Sequence, residues 1–296
     1  MIKCCIGIMA YNEEANIANL LNELIQQNTD QVAIDQIVVV ASGCTDRTEE
    51  FVHDVAKQHN KIKLICQRER KGKASAVNAL LDEIDYEIVV LQSADTLPTP
   101  TTIENLVAKF EDPDIGMVGG RPIPVNSPDT FMGYAAHLLW ELHHQISLRR
   151  PKMGELIAFR NIFKQIPYDT AVDEASIEPL IVGQGLKLIY APDAVVRNKG
   201  PLTINEFLRQ RKRIFAGHLY VQDMLGYRVS TMNGFRAGYQ FLRLFNLEWR
   251  HIFWGPLVVG LELLARMLAI YDYSIWKRKP YAWTMAESTK DLIEAP

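Results

Sequence analysis

Polar residues gather at the ends of four apolar runs. Ala10-Tyr11-Asn12-Glu13-Glu14 closes the first, and Ala41-Ser42-Gly43-Cys44-Thr45-Asp46 closes the second. Arg68-Glu69-Arg70-Lys71-Gly72-Lys73-Ala74 leads out of the third, and Gln92-Ser93-Ala94-Asp95-Thr96 closes the fourth. Singly, each reads as an ordinary turn and helix cap. A small-residue turn between strand and helix is also where α/β proteins bind nucleotides, at the carboxyl ends of the strands. Four such stretches on one sheet edge put carboxylates, lysines and small-residue turns into one site. Lys73 opens a helix, where the macrodipole disfavours a cation. That placement points to an anion in front of it, against the plainer alternative of a solvated helix start.

Other charged groups need weighing. Asp173 and Glu174 are adjacent acids at a helix start, where acids are favoured without any catalysis. Arg209-Gln210-Arg211-Lys212-Arg213 is a basic run, and such runs are usually solvated faces. His137, Glu141 and His144 share one helical face and could in principle ligate zinc. They lack an evident fourth ligand and sit among Leu, Trp and Phe, so an amphipathic helix is the better reading.

The elements that would position these residues follow from periodicity. Strands are expected over Cys4–Ala10, Ile37–Ala41, Ile62–Cys66 and Glu87–Leu91, with helices over Ala15–Gln27, Arg47–Gln58 and Lys73–Glu83. This alternation predicts a mostly parallel sheet with helices on both faces. Beyond Pro98 the pattern predicts a helix over Thr102–Phe110, a strand near Gly116–Gly119 and an amphipathic stretch over Phe131–Leu148. Two short strands are expected near Leu188–Ala191 and Ala194–Arg197. Thr203 and Glu206 form a capping box for a helix to about Met224. One α/β domain over 1–228 and a helical appendage over 229–296 are expected.

Composition bounds the partners. The chain is 48% hydrophobic and 23% charged with a net charge of −3, so it has no global attraction to nucleic acid. Cys4, Cys5, Cys44 and Cys66 have no zinc-ligand spacing and read as free thiols in a reducing cytosol. Phe253–Ile270 is strongly apolar but carries Glu262 and Arg266, which an i,i+4 pair explains. Trp249, Trp254, Trp276, Tyr281, Trp283 and the run Lys277-Arg278-Lys279 flank it as interface-type residues. A core helix and a helix lying in a membrane surface both fit, and a true span fits less well.

Taken in order, these motifs resemble the family 2 glycosyltransferases, with their GT-A fold, over about residues 2–220. The resemblance extends to the membrane-associated branch that carries Gln-X-X-Arg-Trp. It implies that Ala10, Tyr11, Asn12, Glu14, Ser42, Asp46, Lys73, Asn78, Ser93 and Ala94 hold the nucleotide of a sugar donor. It implies that Asp95 binds a divalent cation (Mn²⁺ or Mg²⁺) on the diphosphate. Glu174 then matches the catalytic base with Asp173 beside it, and Gln210 and Arg213 attend the leaving group. Gly154–Arg160 resembles the segment lining donor sugar and acceptor, with Glu155 in it. Three positions depart from the pattern: Ala41 and Ser93 stand where the family has Asp, and Ile214 where it has Trp. Loss of the acid at Ser93 weakens the metal site without abolishing it, since one carboxylate, phosphates and water can hold a hard cation.

The resemblance implies inverting transfer from a nucleotide-diphosphate sugar, UDP by default, to a hydroxyl of a lipid-linked or saccharide acceptor. The C-terminal amphipathic region adds the expectation of a lipid-linked acceptor and of a cytoplasmic protein, peripheral on the inner face of the cell membrane. Two rivals stand beside it. A nucleotidyltransferase on a related fold would release pyrophosphate and has no need of the Gln-X-X-Arg element. A catalytically degenerate nucleotide-binding scaffold at the membrane draws support from Ala41 and Ser93.

Overall fold

The computed structural model describes residues 1–168, 172–232, 234–244, 247–274, 287–290 and 292. The first half runs β1 (Ile2–Ala10), α1 (Ile17–Ile25), β2 (Val32–Ser42), α2 (Thr48–Ala56), β3 (Ile62–Gln67), α3 (Lys73–Glu83) and β4 (Ile88–Ser93). The centres of these strands are apolar because both faces of the sheet are covered. In β1, Cys4, Ile6 and Ile8 pack into one core cluster while Cys5 packs into the other. All four cysteines are free.

The second half is β5 (Thr96–Pro98), α4 (Thr102–Val107), β6 (Ile115–Pro124), α5 (Phe131–Ser147), β7 (Leu156–Arg160), α6 (Asp173–Val182), β8 (Lys187–Asn198) and α7 (Ile204–Leu225). Together the strands form one sheet in the order β3-β2-β1-β4-β7-β6-β8-β5. Pairs β1–β2, β2–β3, β1–β4 and β6–β8 are parallel. Pairs β4–β7, β6–β7 and β5–β8 are antiparallel. The expected parallel sheet therefore holds for the first half and becomes mixed in the second. Strands β5 and β7 have three and five residues, too short to show a period of two. Strand β8 is continuous where the sequence shows two pieces. Its ladder with β6 slips between Gly119 and Arg121, opposite Tyr190 and Val195, and Pro192 falls in that irregularity, where a missing N–H does little harm.

The strand β7 runs against β4 with Gln92 opposite Leu156. Its entry, Lys152–Glu155, thus reaches the sheet edge where β4 ends in Ser93. The Thr203 hydroxyl accepts from Glu206 N and donates to its carboxylate, the capping box that starts α7.

Two further helices follow, α8 (Gly234–Leu244) and α9 (Trp249–Ser274). Gly255, Val258, Ala265 and Ala269 are the buried residues of α9, and small side chains there let it lie close along α7. Its charges point inward: Glu262 binds Arg211 at 2.7 Å and Arg266 at 2.8 Å, and Asp272 binds Lys212 at 2.8 Å. Phe253, Leu257 and Met267 point outward, each more than half exposed. Trp276, Lys277, Arg278, Lys279, Tyr281 and Trp283 lie outside the described residues.

Candidate functional site

The turns after β1 and β2 lock together through their own side chains. Asn12 adopts a left-handed φ of 53° and its amide exchanges bonds with Thr45, accepting from Thr45 N at 2.8 Å and donating to Thr45 Oγ1 at 3.1 Å. Glu14 N donates to Asp46 at 3.1 Å while Arg47 N donates to Glu14 at 2.9 Å. Asp46 also accepts from the amide and hydroxyl of Thr48 at the start of α2, and these bonds lower its pKa against the effect of burial. Ser42 donates to Gln67 at 2.8 Å. The side chains of Asn12, Glu14, Ser42 and Asp46 are therefore already engaged in fixing the turns. Glu14 and Asp46, expected at the nucleotide, set the shape of the turns through these bonds.

Gly43, at φ +66°, lies so close to the third crossover that an added Cβ would meet Arg70 N at 2.5 Å. That contact brings Arg70 over the Tyr11 ring at 4.0 Å. Ala10 and Ala94 are buried core residues, so they contribute backbone alone. Asn78 needs a correction. It is buried in α3, accepts from Ile166 N at 2.8 Å and donates to Ile166 O at 3.0 Å. Its amide staples the 160s loop and lies outside the cavity described below.

The titratable groups converge at the β4 end. Lys73 binds Asp173 at 3.0 Å; burial alone would lower its pKa, but Asp173, Glu174 and Glu155 outweigh burial and raise it. Glu174 is pushed up to about 8, first by burial and then by Asp173 beside it. Burial lowers Arg213, and the acids Glu155, Glu174, Asp95 and Asp173 all pull the other way. One guanidinium thus lies in the field of four carboxylates. Glu155 accepts from Ser93 Oγ at 3.3 Å and is raised by burial and then by Asp95. A carboxylate accordingly stands beside the position where the acid is missing. Glu13, nearby, is raised to about 7 by burial and Asp95, against Lys290.

These groups open into one cavity of about 500 Å³ whose wall includes Lys73, Asp95, Glu155, Asp173, Glu174, Gln210 and Arg213. Its far wall is formed by α5, α7, α8 and α9, with Leu138, Phe207, Phe241 and Leu263 beside Lys152, Arg211 and His218. A C-terminal segment crosses the rim. Thr289 lines the cavity, Ser288 bonds to Glu206, and Lys290 donates to Tyr11 O at 2.8 Å and to Asn12 O. Sequence reading missed this segment, which lies 279 residues from Tyr11 and carries no motif of its own. Of the possible zinc set, His137 contacts Asn126 O, Glu141 accepts from Gln145, and His144 contacts Tyr190. Three separate partners leave an amphipathic helix, and among the described residues no group of three metal-ligating side chains occurs.

The family model for Glycosyl transferase family 2 matches residues 5–172, more than half the chain. The chain belongs to that family. Over 116 residues this family member is 26% identical to the poly-beta-1,6-N-acetyl-D-glucosamine synthase of Staphylococcus aureus, a match covering 39% of this chain and 27% of the synthase. Among solved structures it is similar to the mannosyltransferase PcManGT from Pyrobaculum calidifontis, in complex with GDP-Man and Mn²⁺. The TM-score is 0.60 at 25% identity, over 94% of this chain and 81% of that one. The glucosyl-3-phosphoglycerate synthase of Mycobacterium tuberculosis shares the fold, with a TM-score of 0.52 at 18% identity, over 76% and 80% of the two chains. The mixed sheet of the transferase is thus the GT-A fold.

Proposed function

We propose that this transferase moves a sugar, with inversion, from a nucleotide-diphosphate donor to an acceptor hydroxyl, at the cavity where Asp95, Glu155, Asp173 and Glu174 surround Arg213. That convergence of four acids and a guanidinium in one cavity is the observation that carries the reading. The locked turns at Tyr11–Glu14 and Ser42–Asp46 shape the nucleotide surface, with Arg70 and Tyr11 stacked at its edge. Glu174 takes the acceptor proton as the new bond forms, and Asp173, paired with Lys73, holds a negative charge beside it. A half-buried carboxyl pushed toward neutrality is poised for that transfer. Gln210 and Arg213 face the departing diphosphate, where a guanidinium fork stabilises developing charge.

The donor set fits a hard divalent cation, Mn²⁺ or Mg²⁺. Asp95 and Glu155 repel one another across Ser93, and two carboxylates plus phosphate oxygens and water suffice for such an ion. Bound there, the cation would neutralise diphosphate charge. UDP-sugar is the expected donor, and the GDP-Man complex of the mannosyltransferase makes guanosine the competitor. The acceptor is lipid-linked or saccharide. The outward apolar face of α9 supports a position on a membrane surface, since its charges are the residues turned inward. The inner face of the cell membrane is the expected side, with residues 1–228 as the catalytic domain and 229–296 as the membrane-facing region.

Slow transfer to water tests the reaction type. Incubation with UDP- and GDP-sugars should release nucleoside diphosphate and a sugar of inverted anomeric configuration, read by NMR. Glu174→Gln should lower that rate by about 10²–10⁴ while donor binding persists. Release of pyrophosphate, or retained configuration, would refute the proposal.

A further inference from the structure

Behind Glu174 the cavity ends in a corner that donor chemistry leaves unused. Lys152 lines it from the entry to β7, and its ammonium donates only to Met153 O, at 3.3 Å, with no ion pair among the described residues. Neighbouring cations are matched differently: Lys73 by Asp173, and Arg211 and Arg266 by one shared carboxylate, Glu262. Two arginines on one acid leave that triad with an excess positive charge. Two imidazoles complete the corner. His143 is 7% exposed and His218 4% exposed. Nε2 of His218 has no hydrogen-bond partner among the described residues, and His143 has only the Met153 backbone beside it. Both line the cavity, and Trp140 packs edge-on against His143 at 5.1 Å. Buried polar groups are normally satisfied, and an orphan costs about 1–3 kcal/mol.

We infer that this corner binds an anionic group, a phosphate or a carboxylate, carried by the acceptor, with Lys152 as counter-ion and His143 and His218 as hydrogen-bond partners. The electrostatics agree with the geometry. Both histidines are held well below their ordinary pKa, first by burial and then by Lys152, which Arg211 reinforces. Lys152 itself lies in the field of Glu174, Glu178 and Glu155 as well as of Arg211, with no acid within ion-pair distance of it among the described residues. An anion there gives Lys152 its counter-charge and the imidazoles an acceptor for their N–H groups. Glu174 lines the same cavity, so the anchored acceptor would present its hydroxyl to the base. The inference rests on the transferase reading and names the class of acceptor that the reading leaves open.

The test saturates the donor site with Mn²⁺ and nucleoside diphosphate. It then follows binding of glycerol 3-phosphate and farnesyl phosphate, against glycerol and farnesol, by calorimetry and Trp140 fluorescence. A phosphate should bind and its neutral counterpart should not; which of the two binds separates a soluble acceptor from a lipid one. Lys152→Met should weaken that binding at least about tenfold with nucleotide affinity unchanged, and Lys152→Arg should restore most of it. His218→Phe should weaken it too, which keeps the test open if Lys152→Met fails to fold. Equal binding of neutral and anionic probes, wild-type affinity in Lys152→Met, or no phosphate binding by the nucleotide-saturated protein would overturn the inference. Absence of nucleotide binding would instead strike the transferase reading beneath it.

Discussion

Burial and the Asp173 carboxylate push Glu174 up to about 8, so at neutral pH most of the free enzyme carries the proton that a base must lack. kcat/KM should therefore rise with pH through a midpoint of about 8, levelling about one unit above it, and Glu174→Gln should abolish that limb. Stability should move the other way. Between the ordinary carboxylate range and about 8, the folded chain binds a proton that the unfolded chain has released, so Tm falls as pH rises through that window. Glu13 and Glu155, also raised, add to the slope, and Glu174→Gln should remove only its own share. Asn78→Ala should cost about 1–3 kcal/mol in urea unfolding, because Ile166 N loses its acceptor, and should leave nucleotide affinity unchanged. Loss of nucleotide affinity in that variant would return Asn78 to the donor site. Asp95, Asp173, Glu174, Lys73, Gln210 and Arg213, which the family resemblance singles out, are brought by the fold to one cavity. What the resemblance did not convey is that Asn12, Glu14 and Asp46 bond to backbone across the two turns. Partners 32 or more residues apart leave no mark on local pattern.

Elements with a clear period were legible and those without one were not. Strands β1 to β4 and helix α3 follow from continuous apolar runs and helical spacing, while β5 and β7 are too short to declare themselves. The cost of missing β7 was high, because its antiparallel register with β4 is what sets Glu155 beside Ser93 and Lys152 in the cavity wall. The i,i+4 pair Glu262–Arg266 was readable from spacing. Its link to Arg211 on α7 was not. Glu262 is held at about 2 because Arg211 and Arg266 outweigh burial. Glu262→Leu leaves both guanidiniums without their shared acid and should destabilise the chain by about 3–5 kcal/mol, read as a lower urea midpoint with α7 and α9 losing amide protection together. An unchanged midpoint would mean that α9 is not held to α7 by this acid.

At the scale of the molecule, α9 has its charges toward α7 and its large apolar side chains toward the outside. That inversion predicts binding to anionic lipid vesicles, and Leu257→Glu with Met267→Glu should reduce co-sedimentation while Tm holds, since both residues are exposed. Unchanged co-sedimentation would detach this face from the membrane. The sheet, the cavity and the inward charges all serve one assignment, a donor diphosphate held at Asp95. Calorimetric titration of UDP and GDP, with and without Mn²⁺, into the intact chain and Asp95→Ala tests it most directly. One nucleotide should bind only with Mn²⁺, and the substitution should remove the metal dependence. Binding that ignores both the metal and Asp95, or no binding by a folded chain, would contradict it.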